Sequence, residues 1–274
     1  DLQIVHCQSG PGGGAHALLG PESPLLVGAH DTWAWPEVRF PECHGRRIER
    51  QSLVRRPVPS PAVVSCRGCH AVTGGTRGLG LAVAAWLVDN GAARVLLLAR
   101  RPPAEDTVLP DRCEWVQCDI SDLASVTAAL GDMGGTVVGK REPPLASVFH
   151  CAGVVADALL CNAPTDMDGL HAEMGAKVFG MANLLHATSS STTIVAFSSS
   201  TGALGCPGQA TYAAANTILD GYASSPSSAS PSSKERRIAS IQWGGWQGGM
   251  SIEYGIVPVD GERFLSIPAG IAAL

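Results

Sequence analysis

The Tyr212 phenol, the Asn216 amide and three serine hydroxyls lie close together in residues 197–216, FSSSTGALGCPGQATYAAAN. Tyr212 and Asn216 are four residues apart, so on a helix they share a face. A hydroxyl from the run Ser198, Ser199, Ser200 can hydrogen-bond a substrate carbonyl beside the phenol. A phenol titrates near about pH 10, too high for easy proton exchange at neutrality. A neighbouring ammonium would favour the phenolate and lower that value. With such a partner, Tyr212 can act as a general acid toward a carbonyl oxygen that receives hydride. Taken alone, the pair is simply a core tyrosine beside a loop serine; the surrounding elements turn the reading toward chemistry.

Residues 193–197 form an apolar run that reads as a buried strand, glycines then break regular structure, and Tyr212 opens an alanine-rich helix. Strand, turn and helix place polar groups at the carboxyl edge of a sheet, where open α/β sheets take their ligands. A second such edge is encoded upstream. Cys69-His70-Ala71-Val72 leads into Thr73, Gly74, Gly75, Thr76, Arg77, Gly78, Leu79 and Gly80, and an alanine-rich helix follows over residues 81–88. Glycines let backbone approach a pyrophosphate, and a helix N-terminus favours its charge. A second strand, residues 94–99, completes the context this loop requires. An acidic residue about twenty positions beyond the loop would accept the ribose 2′-hydroxyl of NAD. This chain carries Arg100 and Arg101 there, with Arg77 inside the loop. Guanidinium groups suit a phosphate dianion, so NADPH is the expected cofactor. The alternation continues with a strand at 114–120, a helix at Leu123–Leu130, a loop at 131–144 and a strand at Leu145–His150. A helix at 171–188 and a strand at Ile238–Trp243 follow. The expected fold class is α/β, a Rossmann-like doubly wound parallel sheet.

The string at 197–216 resembles the active-site signature of ketoreductase domains in polyketide synthases, members of the short-chain dehydrogenase/reductase superfamily. The glycine loop has that superfamily's TGxxxGxG spacing. The resemblance covers about residues 66 to 250 and implies NADPH-dependent reduction of a β-ketoacyl group, delivered on the phosphopantetheine arm of an acyl carrier protein. It implies a catalytic serine thirteen residues before the tyrosine, which lands on Ser199 by register alone, with Ser198 and Ser200 flanking it. Simpler short-chain reductases place a lysine four residues after the tyrosine, where Asn216 stands here. Polyketide ketoreductases exchange the two positions, and Ala176-Lys177-Val178-Phe179-Gly180 matches their lysine context. Lys177, one of three lysines with Lys140 and Lys234, is therefore the expected cation beside Tyr212. Asp119, with Ile120 beside it, matches the superfamily's adenine contact; the plainer reading of Asp119 is a cap for the helix that follows. His150-Cys151-Ala152-Gly153-Val154 matches the floor beneath the nicotinamide ribose, with Ala152 and Gly153 small enough for close approach. Family members forming the D alcohol carry an Asp after this string, where Asp157 falls, although Val155-Ala156 replaces the usual pair before it. Members forming the L alcohol carry a Trp eight residues before the tyrosine, where Leu204 stands; Pro207 also fits the D type. Gln209 in the same loop, Trp243, and Met250 at the entry to a mobile lid complete the expected substrate wall.

The chain has 274 residues and a net charge of −5, which gives nucleic-acid binding no support. No apolar run approaches the roughly 20 residues of a membrane span, and no basic-then-apolar leader is evident. With Asp1 in place of Met, the chain is expected to be a mature or excised piece of something longer. Nine scattered cysteines fit buried free thiols in a reducing, cytoplasmic compartment better than a disulfide framework. Cys66-Arg67-Gly68-Cys69-His70 matches a haem-attachment pattern, or half of a zinc site with Cys113 and Cys118. Its run into the glycine loop makes it a buried first strand, so no metal is expected. Residues 1–60 resemble a shortened non-catalytic subdomain and a linker marked by Pro57 and Pro59, and residues 61–274 the catalytic domain. Arg46, Arg47, Arg50, Arg55 and Arg56 form a basic cluster there that reads as a solvated surface. Neighbouring domains of one megasynthase are the expected partners. Residues 224–233 are Ser/Pro-rich and read as a surface insertion, and residues 264–274 as the start of a further helix.

Overall fold

A computed structural model of the chain describes residues 66–131, 136–137, 140–141, 144–156, 158, 160–162, 166–224, 236–253, 255 and 264–274. The expected N-terminal subdomain, its arginine cluster, Asp157 and nearly all of the Ser/Pro stretch lie outside the described residues.

Six strands form one parallel sheet: β1 (Gly68–Thr73), β2 (Ala92–Ala99), β3 (Cys113–Gln117), β4 (Leu145–His150), β5 (Thr193–Ser199) and β6 (Ile238–Trp243). Their order is β3-β2-β1-β4-β5-β6, so chain direction across the sheet reverses between β1 and β4. This is the doubly wound architecture the sequence predicts. The helices are α1 (Gly78–Asp89), α2 (Leu123–Leu130), α3 (Met167–Met174), α4 (Gly180–Ala187), α5 (Thr201–Leu204), α6 (Ala210–Ser224), α7 (Met250–Glu253) and α8 (Ile267–Ala272).

Both faces of the sheet are covered, which is why Val95–Ala99 of β2 reads as an unbroken apolar run. Val95 and Leu97 pack with Val83 and Leu87 of α1. Leu96 and Leu98 pack on the other side with Val126 and Leu130 of α2 and Met181 and Leu184 of α4. Side-chain caps fix several helix starts. Asp122 takes the amides of Ala124 and Ser125 ahead of α2, Asp166 that of Gly169 ahead of α3, and Ser266 that of Ala269 ahead of α8. Asp119 is thus not the cap of α2. No helix among the described residues is long and apolar enough to cross a membrane.

The helix expected over 171–188 is continuous from Met167 to Ala187, its α3 and α4 parts joined by a π-helical turn at Gly175–Phe179. Such single π turns inside α-helices are frequent at functional sites. Within the 131–144 loop, Thr136–Val137 pairs antiparallel with Lys140–Arg141. The Cys-x-x-Cys-His string is absorbed into β1 and its approach. Cys69 is fully buried, and the His70 ring is spent on Ser147 Oγ (2.8 Å) and the Cys66 carbonyl (2.8 Å). Burial raises the Cys66 and Cys118 thiols above their ordinary range and pushes Cys113 to about 11.

Candidate active site

The crevice lies where the sheet reverses direction, outside the carboxyl ends of β1 and β4. Thr73 and His150 are register partners at that edge. The glycine loop leaves β1 there. Gly74 takes a positive φ of 67°, and a Cβ on it would sit 3.3 Å from the Ala152 backbone. The loop therefore lies flat against the Ala152-Gly153 segment after β4. Gly78 also turns left-handed, and its missing Cβ leaves room for Gly249 at the root of α7. Unlike α2, α3 and α8, α1 begins with no side-chain cap at Arg77. Its first amides are left for another acceptor. Thr76 is buried, Gly75 and Gly80 are packed in the turn, Leu79 is half-buried, and Arg77 is exposed.

At the carboxyl ends of β2 and β3 an open cleft is lined by Arg100, Gln117, Asp119 and Ser125. Asp119 Oδ1 accepts from the Ser121 amide (3.0 Å) and hydroxyl (2.7 Å). Desolvation opposes its charge, but these bonds, with Arg100 and His171 nearby, hold the carboxyl below its usual range. Ile120 is buried between α2 and α4. Arg101 is exposed and lies off the cleft lining. A cradle without side chains, an uncapped helix start and a cleft carrying both an arginine and a carboxylate fit a dinucleotide.

On the other side of the crevice, β5 ends in Ser198 and Ser199, and α6 carries Tyr212, Asn216 and Asp220 one turn apart. Alternation along the strand separates the serines. Ser198 donates to the Asn216 carbonyl (3.2 Å) in the sheet–helix interface. Ser199 Oγ accepts from the Thr201 amide (3.2 Å), which leaves its proton to donate. Ser200 opens α5 without a side-chain capping bond. Asn216 is fully buried; its Nδ2 donates to the Tyr212 carbonyl (2.8 Å), and its Oδ1 has no hydrogen-bond partner among the described residues. Asp220 anchors α6 to β6, accepting from Ser240 Oγ (2.6 Å) and Gln242 Nε2 (2.6 Å).

Lys177 enters from the π-helical turn and is only 3% exposed. Its Nζ donates to the Phe197 carbonyl (2.7 Å) and stands 5.5 Å from the centroid of the Tyr212 ring. Its Cε lies against Gly153, where a Cβ would approach to 2.9 Å. Desolvation pulls the ammonium down to about 8, with Cys151 and Asp220 opposing. Burial raises the Cys151 thiol.

The structure thus gathers Tyr212, Lys177 and Asn216 at one end of the crevice, with Ser199 at the end of the adjoining strand β5. Of the residues expected along the substrate wall, Gln209 is buried and bridges Ala158, whose amide donates to the Gly208 carbonyl (2.8 Å). The loop before Tyr212 therefore meets the segment that follows β4. Leu204 is half-buried and Pro207 exposed. Trp243 packs in the core with Phe197 (5.5 Å) and Trp246 (4.7 Å). Met250 opens α7. Asp220 and the contacts of His150 are absent from the sequence reading. A lone carboxylate one turn beyond Asn216, on the apolar stripe of α6, is the signal that could have found the first.

The family model for the KR domain matches residues 68–248. A 6-methylsalicylic acid synthase of Aspergillus niger is 33% identical over 223 residues, covering 70% of this chain and 12% of the synthase. The chain thus spans about an eighth of that relative's length. Among solved structures, a ketoreductase from the first module of phoslactomycin biosynthesis in Streptomyces sp. HK803 superposes with a TM-score of 0.62 at 30% identity, covering 80% of this chain and 52% of that one. A short-chain dehydrogenase from Burkholderia cenocepacia J2315, solved with NADP, has a TM-score of 0.60 at 20% identity over 77% of this chain and 84% of that one, a likeness of fold alone.

Proposed function

The chain belongs to the KR-domain family, the polyketide-synthase ketoreductases of the short-chain dehydrogenase/reductase class, and on that premise we propose that it reduces a β-ketoacyl thioester to the β-hydroxyacyl thioester with NADPH. The substrate arrives on the phosphopantetheine arm of an acyl carrier protein, and the chain works beside other domains of one synthase. The observation that carries this reading is the buried Lys177 amine beside the Tyr212 ring, across the crevice from the glycine loop.

The bound nicotinamide supplies hydride. The glycine loop and the start of α1 hold the pyrophosphate, and the small Gly74, Ala152 and Gly153 let the cofactor lie close to the sheet edge. Arg100, beside Asp119 in the cleft, would supply charge for the 2′-phosphate, and the exposed Arg77 and Arg101 would add to it. Ser199 and Tyr212 donate hydrogen bonds to the ketone oxygen. As that oxygen gains charge, Tyr212 gives it the phenolic proton, and the ketone becomes the alcohol. The Lys177 ammonium favours the phenolate left behind. Asn216 Oδ1, buried and without a hydrogen-bond partner among the described residues, accepts from the water that returns a proton through Lys177. The D-3-hydroxy product follows from Asp157, Leu204 and Pro207.

The test is loss of reduced-nicotinamide absorbance with a panel of β-ketoacyl thioesters, run with NADPH and with NADH. NADPH-dependent turnover is expected. Cofactor binding without turnover of any thioester would make the chain a structural module instead. Chiral chromatography reads the product, and an L alcohol would defeat the stereochemical assignment.

A further inference from the structure

His150 is fully buried at the end of β4, at the point where the sheet reverses. Its two ring nitrogens have separate partners. Nε2 lies 3.0 Å from the carbonyl oxygen of Lys177, and Nδ1 lies 2.9 Å from Thr73 Oγ1. A carbonyl oxygen can only accept, so Nε2 carries the proton. Burial keeps the imidazole neutral, lowering it to about 4. Nδ1 is then an acceptor, and the Thr73 hydroxyl donates to it. The same hydroxyl oxygen accepts from the Ala152 amide (3.0 Å). Every group in this chain of bonds has one consistent role. It runs from the strand that launches the glycine loop, through the imidazole, to the backbone of Lys177.

The far end is a backbone of unusual geometry. The Gly180 amide is shared between the carbonyl of Gly175, five residues back, and that of Lys177, three back. A π-helical register is rare and appears mostly as single turns inside α-helices, frequently at functional sites. His150 takes the remaining lone pair of the Lys177 carbonyl. Space for it is made at Gly180, where a Cβ would come within 3.1 Å of both His150 Cε1 and Ile120 Cγ1.

We propose that His150 is a positioning residue: it clamps the π-helical turn to the glycine-loop strand and so fixes where the Lys177 amine stands relative to Tyr212. The inference rests on Lys177 serving Tyr212 as described above. It gives the dinucleotide loop and the amine one shared anchor, although His150 itself touches neither substrate nor cofactor.

Three variants of the full chain test it. His150→Phe removes both bonds and keeps a ring. His150→Gln keeps an N–H for the Lys177 carbonyl and an oxygen for Thr73. Thr73→Val removes the donor to Nδ1, together with the acceptor for the Ala152 amide, and leaves the bond to the Lys177 carbonyl in place. Turnover of a β-ketoacyl thioester at saturating NADPH should fall about 10- to 100-fold in His150→Phe, the scale of a misplacement near 1 Å. The KM for the thioester should change little, and His150→Gln should recover most of the loss. A second readout needs no cofactor: the phenolate absorbance of the chain's three tyrosines against pH. In His150→Phe the Tyr212 step, identified by its loss in Tyr212→Phe, should move to higher pH, and in His150→Gln it should return. A His150→Phe protein that melts earlier but keeps turnover and the phenolate step would overturn the proposal and leave His150 a packing residue. If the wild-type chain turns over no thioester, the proposed function fails, and the phenolate titration still decides the clamp. If His150→Phe does not fold, Thr73→Val decides it: a shifted phenolate step supports the clamp and an unmoved one refutes it.

Discussion

Gly153→Ala separates the position of the Lys177 amine from the integrity of the fold. The new Cβ would lie 2.9 Å from Lys177 Cε, 3.5 Å from Nζ and 3.8 Å from Cδ. Carbon pairs settle at about 3.5–4.0 Å, so Cε must retreat by roughly 0.6–1 Å. The retreat is mechanically easy, because the obstructing atoms are the free end of a long side chain. Gly153 is not among the residues of positive φ, so alanine meets no backbone strain there. Glycine-to-alanine exchange at a compatible site gains about 0.4–1 kcal/mol through the unfolded chain, which offsets part of the crowding. Thermal stability should therefore hold within a few degrees. The amine, however, is drawn from its 2.7 Å bond to the Phe197 carbonyl. A displacement near 1 Å at a reacting group costs about 100-fold in rate. The assay is turnover of a β-ketoacyl thioester at saturating NADPH, with cofactor affinity measured separately by nucleotide fluorescence and folding by the melting curve. Turnover within twofold of wild type, with NADPH still bound, would refute the claim that the seat of this amine matters.

Tyr212→Phe should lower turnover by roughly 10²–10⁴-fold, the range for loss of a general acid; near-normal turnover removes Tyr212 from the mechanism. Lys177 titrates near 8 in the folded chain against 10.5 as a free side chain. Between those values the unfolded state binds more protons, so stability rises with pH, by roughly 3 kcal/mol across the window. Urea unfolding of wild type and Lys177→Met across that range should therefore show the difference in stability growing in favour of wild type. A difference that stays flat would contradict the buried ammonium. Arg100→Ala should weaken NADPH at least about tenfold while NADH changes little, since a phosphate–guanidinium pair is lost only with the former. Equal losses for both would move the 2′-phosphate elsewhere.

The sheet was legible because five of its six strands are apolar runs bounded by turn residues. Leu145–His150 and Ile238–Trp243 are read to the residue. Parallel strands covered on both faces need no alternation, so burial and sequence give one signal. β3 was placed but read too long, because Cys118 and Ile120 are buried after the ladder has ended. The π-helical turn at Gly175–Phe179 was not legible, since nothing in its letters marks it and the His150 ring that meets its backbone lies 27 residues away on β4. The same holds for the serines. Three in a row are equivalent as letters, and only the folded chain shows that Ser198 donates to the Asn216 carbonyl while Ser199 accepts from the Thr201 amide. The tryptophans were ambiguous because a large ring at a strand end reads alike as wall or core; for Trp243 the structure shows packing against Phe197 and Trp246.

The alternation at the end of β5 also restricts how this chain can change over generations. Ser198 and Ser199 are chemically identical neighbours, yet the first serves as a rivet to the Asn216 carbonyl, and the second, which accepts from the Thr201 amide, is the one proposed to face the crevice. A spare hydroxyl next door is thus no insurance. Losing or gaining one codon within β5 would turn the rivet outward and the crevice serine inward while hardly altering composition. Variation should accumulate in the loop between α5 and α6, where length and shape can drift, and be purged from the strand in front of it.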